Sequence, residues 1–141
     1  MANWGIRVKV TDDTSKISRK MAKNLQQAVT DVTLDIKRVS SASAPHKTGR
    51  LEKNTHSVQV EGKAIVGTVK FNAVNKGFNY AEWTHNATYN LGERSKAKSG
   101  GKSKYGSGSV PVGKGYLKNT VDNGRSGYRE HLKTAFEEAI K

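Results

Sequence analysis

The sequence predicts an α+β domain: a small, mostly antiparallel sheet packed against a long N-terminal helix and a C-terminal helix, with a long Gly/Lys-rich loop. Three observations predict it. An apolar stripe recurs at helical spacing from Ile17 to Val39, short alternating runs flank it on both sides, and glycine, serine and lysine crowd into residues 92–115. At 141 residues the chain fits one domain, taken as 1–141, and is short for two.

The first element is "GIRVKV", where Ile6, Val8 and Val10 alternate with polar residues in the pattern of a half-buried edge strand. Asp13 or Thr14 can then accept hydrogen bonds from the free amides that open a helix. In that helix Ile17, Met21, Leu25, Ala28, Val32, Ile36 and Val39 recur at spacings of 4, 4, 3, 4, 4 and 3, which aligns them on one face. Arg19, Lys20 and Lys23 crowd its first half, where the helix dipole disfavours cations.

Pro45 ends this helix, since it lacks an amide hydrogen and keeps the preceding residue out of α geometry. Gly49 supplies the freedom a turn needs. Val58 and Val60, then Ile65, Val69 and Phe71, form two alternating runs on either side of a tight Glu-Gly-Lys turn, a β-hairpin suited to cover the helix. Phe78, Tyr80, Trp83 and Tyr89 cluster in the next stretch, part of which reads as a further strand.

Residues 92–115 have the composition of a flexible basic loop ordered by a partner, and deleting residues 96–112 is expected to leave the isolated domain folded while impairing assembly. Tyr116, Leu117 and Val121 read as a short helical turn. Ser126 then caps a final helix with Tyr128, Leu132, Ala135, Phe136, Ala139 and Ile140 on one face.

Composition narrows the function. The chain has no cysteine, which excludes disulfides, thiolate catalysis and cysteine-ligated zinc. Its N-terminus lacks the apolar core of a signal peptide and no run of apolar residues is long enough to span a bilayer, so the expectation is a soluble, non-secreted protein away from membranes. The Asn86-Ala87-Thr88 sequon is then a chance match. A net charge of +13 points to nucleic acid or another polyanion.

Catalytic motifs are thin. "GSVPVGKG", residues 108–115, approaches a phosphate-binding loop, but Gly115 stands where a hydroxyl should hold magnesium and no apolar strand leads into it. His46, His56, His85 and His131 follow no local metal-binding spacing, and no cofactor is indicated. Glu82 and His85 can pair as acid and base, yet no nucleophile or oxyanion donor accompanies them. A basic ribonuclease would need His85 or His131 as its general base. The reading is therefore non-enzymatic. Arg94, Lys96, Lys98, Lys102, Lys104 and Lys114 in the glycine-rich stretch are candidates for phosphate or partner contact. That keeps a sequence-independent nucleic-acid-binding protein open as an alternative.

Three stretches, in order, resemble a family of phage neck proteins: the minor capsid, head-to-tail connector and tail-completion proteins of long-tailed bacteriophages. The first is Ala44-Pro45 at a helix end, followed by Thr48, Gly49, Arg50 and Leu51 leading into a hairpin. The second is Tyr80-Ala81 with His85, Asn86 and Tyr89, and the third is Gly115-Tyr116-Leu117 before a terminal amphipathic helix. The glycine-rich insertion is longer and more basic than that family usually carries.

The resemblance implies a structural virion protein at the head–tail junction, present in the host cytoplasm during assembly. It implies a ring of identical subunits, a hexamer or dodecamer, contacting portal, adaptor, tail-tube or terminator proteins, with DNA passing through the channel. Lys47, Arg50, Tyr80, Trp83, His85 and Tyr89 are its candidate interface residues. His46 to Arg50 then reads as a structural corner with Lys47 and Arg50 turned to a partner.

Overall fold

The computed structural model describes residues 4–11, 19–45, 54–61, 64–71, 74–75 and 78–139. The predicted corner, with His46, Lys47, Gly49 and Arg50, lies outside these residues, as do the cap candidates Asp13 and Thr14.

The fold is α+β, as the patterning predicts. Strand β1 (Trp4–Thr11) leads to helix α1 (Arg19–Ser43), and β2 (Asn54–Glu61) and β3 (Ala64–Phe71) follow. These strands form an antiparallel sheet in the order β1-β3-β2. The hairpin register puts Val60 opposite Ile65 and Glu61 opposite Ala64, so two residues make the connection. The edge position foreseen for the first strand is found, and β2 forms the other edge.

Side-chain alternation gives the sheet an apolar face towards α1, and Ala64 and Val66 in the opposite rows of the central strand are buried as well. Ile6, Val8, Val10 and Val58 pack from the outer strands beside Ile65, Val69 and Phe71 of the central one. Gly67 lies in the same row because a Cβ there would stand 2.0 Å from the Thr33 Oγ1 of α1.

Helix α1 is the centre of the molecule. It touches all three strands and also α4 (Tyr116–Ala139). Two packing partners widen its buried surface beyond the single predicted stripe: Val29, Thr33, Asp35, Ser40 and Ser43 join Leu25, Ala28, Val32, Ile36 and Val39. The buried hydroxyls are satisfied locally, Thr33 donating to the Val29 carbonyl (2.6 Å) and Ser40 to that of Ile36 (2.5 Å). From α4, Tyr116, Leu117 and Tyr128 complete the main core with Val32, Ile36, Val69 and Phe71.

Three elements differ from the sequence reading. Part of the aromatic stretch is strand, as read, in the minimal pair β4 (Val74–Asn75) and β5 (Phe78–Asn79), but it continues as helix α2 (Tyr80–Asn86), which the patterning did not indicate. The final helix starts at Tyr116, ten residues before Ser126, and passes through Gly124, Ser126 and Gly127 without a break. Those residues signal a helix start by composition, but here they make room. A Cβ on Gly127 would stand 1.8 Å from the Tyr105 carbonyl oxygen, so glycine lets another segment lie directly on the helix.

That segment is the third difference. The glycine-rich stretch holds a helical turn α3 (Glu93–Lys96) and a short hairpin of β6 (Gly101–Lys102) and β7 (Ser109–Val110). The hairpin docks on α1, and β7 also touches α4. Gly101, Ser103, Val110 and Gly113 are buried. Composition places this stretch outside the core because it has few apolar side chains; its attachment is made instead by polar bonds and by close backbone contact through glycine.

Candidate functional site

Two regions gather the sequence candidates. The first is α2. Its residues Ala81 and His85 point inward, while Tyr80 and Trp83 point out, each nearly half exposed, as is Phe78 just before the helix. The Phe78 and Tyr80 rings meet edge to face with centroids 4.9 Å apart, and Trp83 stacks on Tyr89 at 5.4 Å. The structure thus sets two ring pairs along α2, Phe78 with Tyr80 and Trp83 with Tyr89, of which Tyr89 is the partly buried member. Three large rings exposed within six residues are more than the scattered apolar residue that any surface carries.

Beneath this surface the helix is held rigidly. The Tyr116 hydroxyl donates to the Ala81 carbonyl at 2.7 Å, and the Tyr89 hydroxyl donates to the Thr84 carbonyl. His85 is not part of the exposed set. Its Nδ1–H donates to Asn86 Oδ1 at 2.8 Å, and its Nε2 accepts the Lys118 amide at 3.0 Å. Lys118 lies in the first turn of α4, so the imidazole takes the part of an N-cap side chain supplied by another helix.

Burial holds the His85 pKa below the usual 6.5, the Lys118 charge adds to this, and the Asn86 bond opposes it. With both nitrogens engaged in the helix junction, His85 is placed as a structural group rather than as the acid–base partner of Glu82. The same junction explains the phosphate-loop look-alike. The Gly113 amide donates to the Ser43 carbonyl, and the Gly115 amide to that of His85, so these amides are spent within the fold.

The second region is the glycine-rich stretch, and it separates the six predicted cations. Lys98 reaches the Ser41 and Ala44 carbonyls at the end of α1, where a cation complements the helix dipole. The Lys114 ammonium donates to Thr88 Oγ1 at 3.0 Å. Arg94, Lys96, Lys102 and Lys104 are exposed.

Sequence reasoning missed the residue that fixes this stretch. Asp35 is buried on α1 and accepts from Ser103 Oγ (2.5 Å), the Tyr128 hydroxyl (2.6 Å), the Lys104 amide (3.1 Å) and Arg38 Nη2 (2.9 Å). Arg38 also donates to the Lys102 carbonyl at 2.7 Å. Burial pushes the Asp35 carboxyl up, but the bonds from Ser103, Tyr128, Lys104 and Arg38 outweigh it and hold the group below the ordinary 3.8. The signal was present in the sequence: an acid flanked by Val32, Ile36 and Val39 on the apolar side of a helix needs donors from elsewhere.

A last polar pair is His131 with Asp31, 2.9 Å apart across α4 and α1, beside the Tyr105 ring. Among the described residues no cluster of three or more metal-ligating side chains occurs, and no helix is long and apolar enough to cross a membrane. Comparison with family models, with curated proteins and with solved structures finds no match to this chain.

Proposed function

We propose that this protein is a structural subunit that assembles with copies of itself into a ring, acting as a head-to-tail connector or tail-completion protein of a long-tailed phage. The observation that carries the reading is the aromatic surface of Phe78, Tyr80 and Trp83 on a helix pinned from below by Tyr116 and His85. A rigidly mounted, solvent-facing aromatic cluster loses little conformational freedom on docking, which favours a protein interface. The sheet adds two outer strands, β1 and β2, each bonded to β3 on one side. When such a patch meets a different patch of the next copy, the contact is head to tail, and closure into a ring satisfies every copy.

The test is the native mass of the full chain, alone and with portal, adaptor and tail-tube proteins from the same virion. The expected result is a closed oligomer, or one formed on addition of a neighbour, that Tyr80→Ser and Trp83→Ala together reduce to monomer with an unchanged far-ultraviolet spectrum. A chain that stays monomeric at high concentration and binds none of those proteins refutes the proposal.

A further inference from the structure

The glycine-rich stretch is laid along α1 in the opposite sense to the helix. Lys98 meets the Ser41 and Ala44 carbonyls, the Gly101 amide donates to Ser43 Oγ, the Lys102 carbonyl accepts from Arg38, and Ser103 and the Lys104 amide reach Asp35. Burial alternates along it, with Gly101 and Ser103 turned in and Lys102 and Lys104 turned out. Among the described residues neither exposed lysine makes a bond through its ammonium group. This sets Lys102 and Lys104 beside two cations of α1 that the sequence did not single out. Arg38 spends only Nη2 on Asp35 and the Lys102 carbonyl, and 48% of its side chain is exposed. Lys37 lines the same open groove of about 520 Å3 as Arg38, with Leu34, Ser41, Ala42 and Asn54. The acid in contact with them, Asp35, is buried and already accepts four bonds.

We propose that Lys37, Arg38, Lys102 and Lys104 form a site for the phosphate backbone of a nucleic-acid duplex, bound without reading sequence. Ammonium groups and a guanidinium set side by side by the fold match a line of phosphates, and the arginine fork can take two oxygens of one phosphate. Among the described residues no exposed ring belongs to this group, since Tyr105 is engaged with Tyr128 and His131, so the site offers no platform for unstacked bases. Cations elsewhere are balanced or interrupted. On α4, Lys118 and Arg125 pair with Asp122, and on the sheet Arg7, Lys9 and Lys70 share their outward rows with buried Ala64 and Val66. The net charge of +13 draws a polyanion to the protein. The inference goes beyond ring formation and does not depend on it.

Titration of the full-length protein against labelled duplex DNA of random sequence, over a range of salt, tests the site. Lys37→Gln, Lys102→Gln and Lys104→Gln together are expected to make the slope of log affinity against log salt shallower by about 2.7, at about 0.9 per phosphate contact. Arg7→Gln, Lys9→Gln and Lys70→Gln together leave the slope unchanged. Lys104→Gln alone makes it shallower by about 0.9 and keeps the backbone bond to Asp35, so this arm decides if the triple variant fails to fold. Absence of binding at about 50 mM salt, an unchanged slope in the Lys104 variant, or loss confined to the sheet variant overturns the proposal. So does tighter binding of single strands, or of poly-glutamate, than of the duplex.

Discussion

Replacing Asp35 tests how the glycine-rich stretch is held. Its carboxylate accepts four bonds from three parts of the chain, and Ser103 and Tyr128 are themselves buried. In Asp35→Ala those two hydroxyls and the Lys104 amide lose their acceptor, while half-exposed Arg38 can turn to water. An orphaned buried donor costs about 1–3 kcal/mol, and breaking a buried charged cluster costs about 3–5 kcal/mol, so a loss of about 3–5 kcal/mol is expected after partial rehydration.

Urea unfolding at neutral pH measures that loss, and amide exchange at Lys104 should accelerate before global unfolding. Ser103→Ala, which removes one bond, should cost about 1 kcal/mol. The carboxylate also sets an acid limit. Its folded pKa lies below the ordinary 3.8, so its contribution is whole above that value and is lost as pH falls through the folded one. Asp35→Asn removes this dependence. A cost for Asp35→Ala under about 1 kcal/mol, or an unchanged Lys104 exchange rate, refutes the assignment of Asp35 as the anchor.

Gly127→Ala should destabilise the protein although alanine is the better helix former by about 1 kcal/mol, because its Cβ would strike the Tyr105 carbonyl. Gly92→Ala, which meets open space, is the control, and thermal melts distinguish the two. His85→Ala removes the acceptor for the Lys118 amide and should cost about 1 kcal/mol or more. Because the folded pKa of His85 is lowered, its contribution is present above 6.5 and lost as pH falls below it; melts between pH 7 and 5 should show a wild-type decline that the variant lacks. Tyr116→Phe deletes the bond to the Ala81 carbonyl and should cost about 1 kcal/mol in urea unfolding. Deleting residues 96–112, harmless by composition, should destabilise at least as much as Asp35→Ala, since it removes Ser103, Lys104 and the Lys98 contacts together.

The elements legible in the sequence are those whose stability comes from apolar side chains at a regular period. Leu25, Ala28, Val32, Ile36 and Val39 mark α1, and Ile65, Val69 and Phe71 mark β3, because burial of one face repeats at 3.6 or 2 residues. The first half of α4 was hidden by Gly124, Ser126 and Gly127. Intrinsic propensity counts against a helix there, and the compensation, contact with Tyr105, is tertiary. The hairpin of β6 and β7 was hidden for the same reason: its attachment runs through Asp35, Ser43 and Arg38, far away in sequence. Of the candidate site, the aromatic cluster was legible as composition, and His85 was legible as a polar group but not as a cap, since its acceptor role depends on where α4 begins.

These misses share a cause that bears on where function lies. The two buried polar groups that the sequence did not explain, Asp35 and His85, both sit where irregular chain docks against a helix, and both have their bonding capacity used within the fold. A buried ionised or hydrogen-bonded group in such a place fixes one arrangement of segments, since other packings would leave it unsatisfied. The effect is to hold α2 and the glycine-rich stretch on the helices they dock against while leaving the rings of Phe78, Tyr80 and Trp83 turned to solvent. Surfaces held this firmly can meet a partner without first being ordered by it, so substitutions at Tyr80 and Trp83 should change association while leaving the melting temperature almost unmoved, the reverse of what Asp35 and His85 should do.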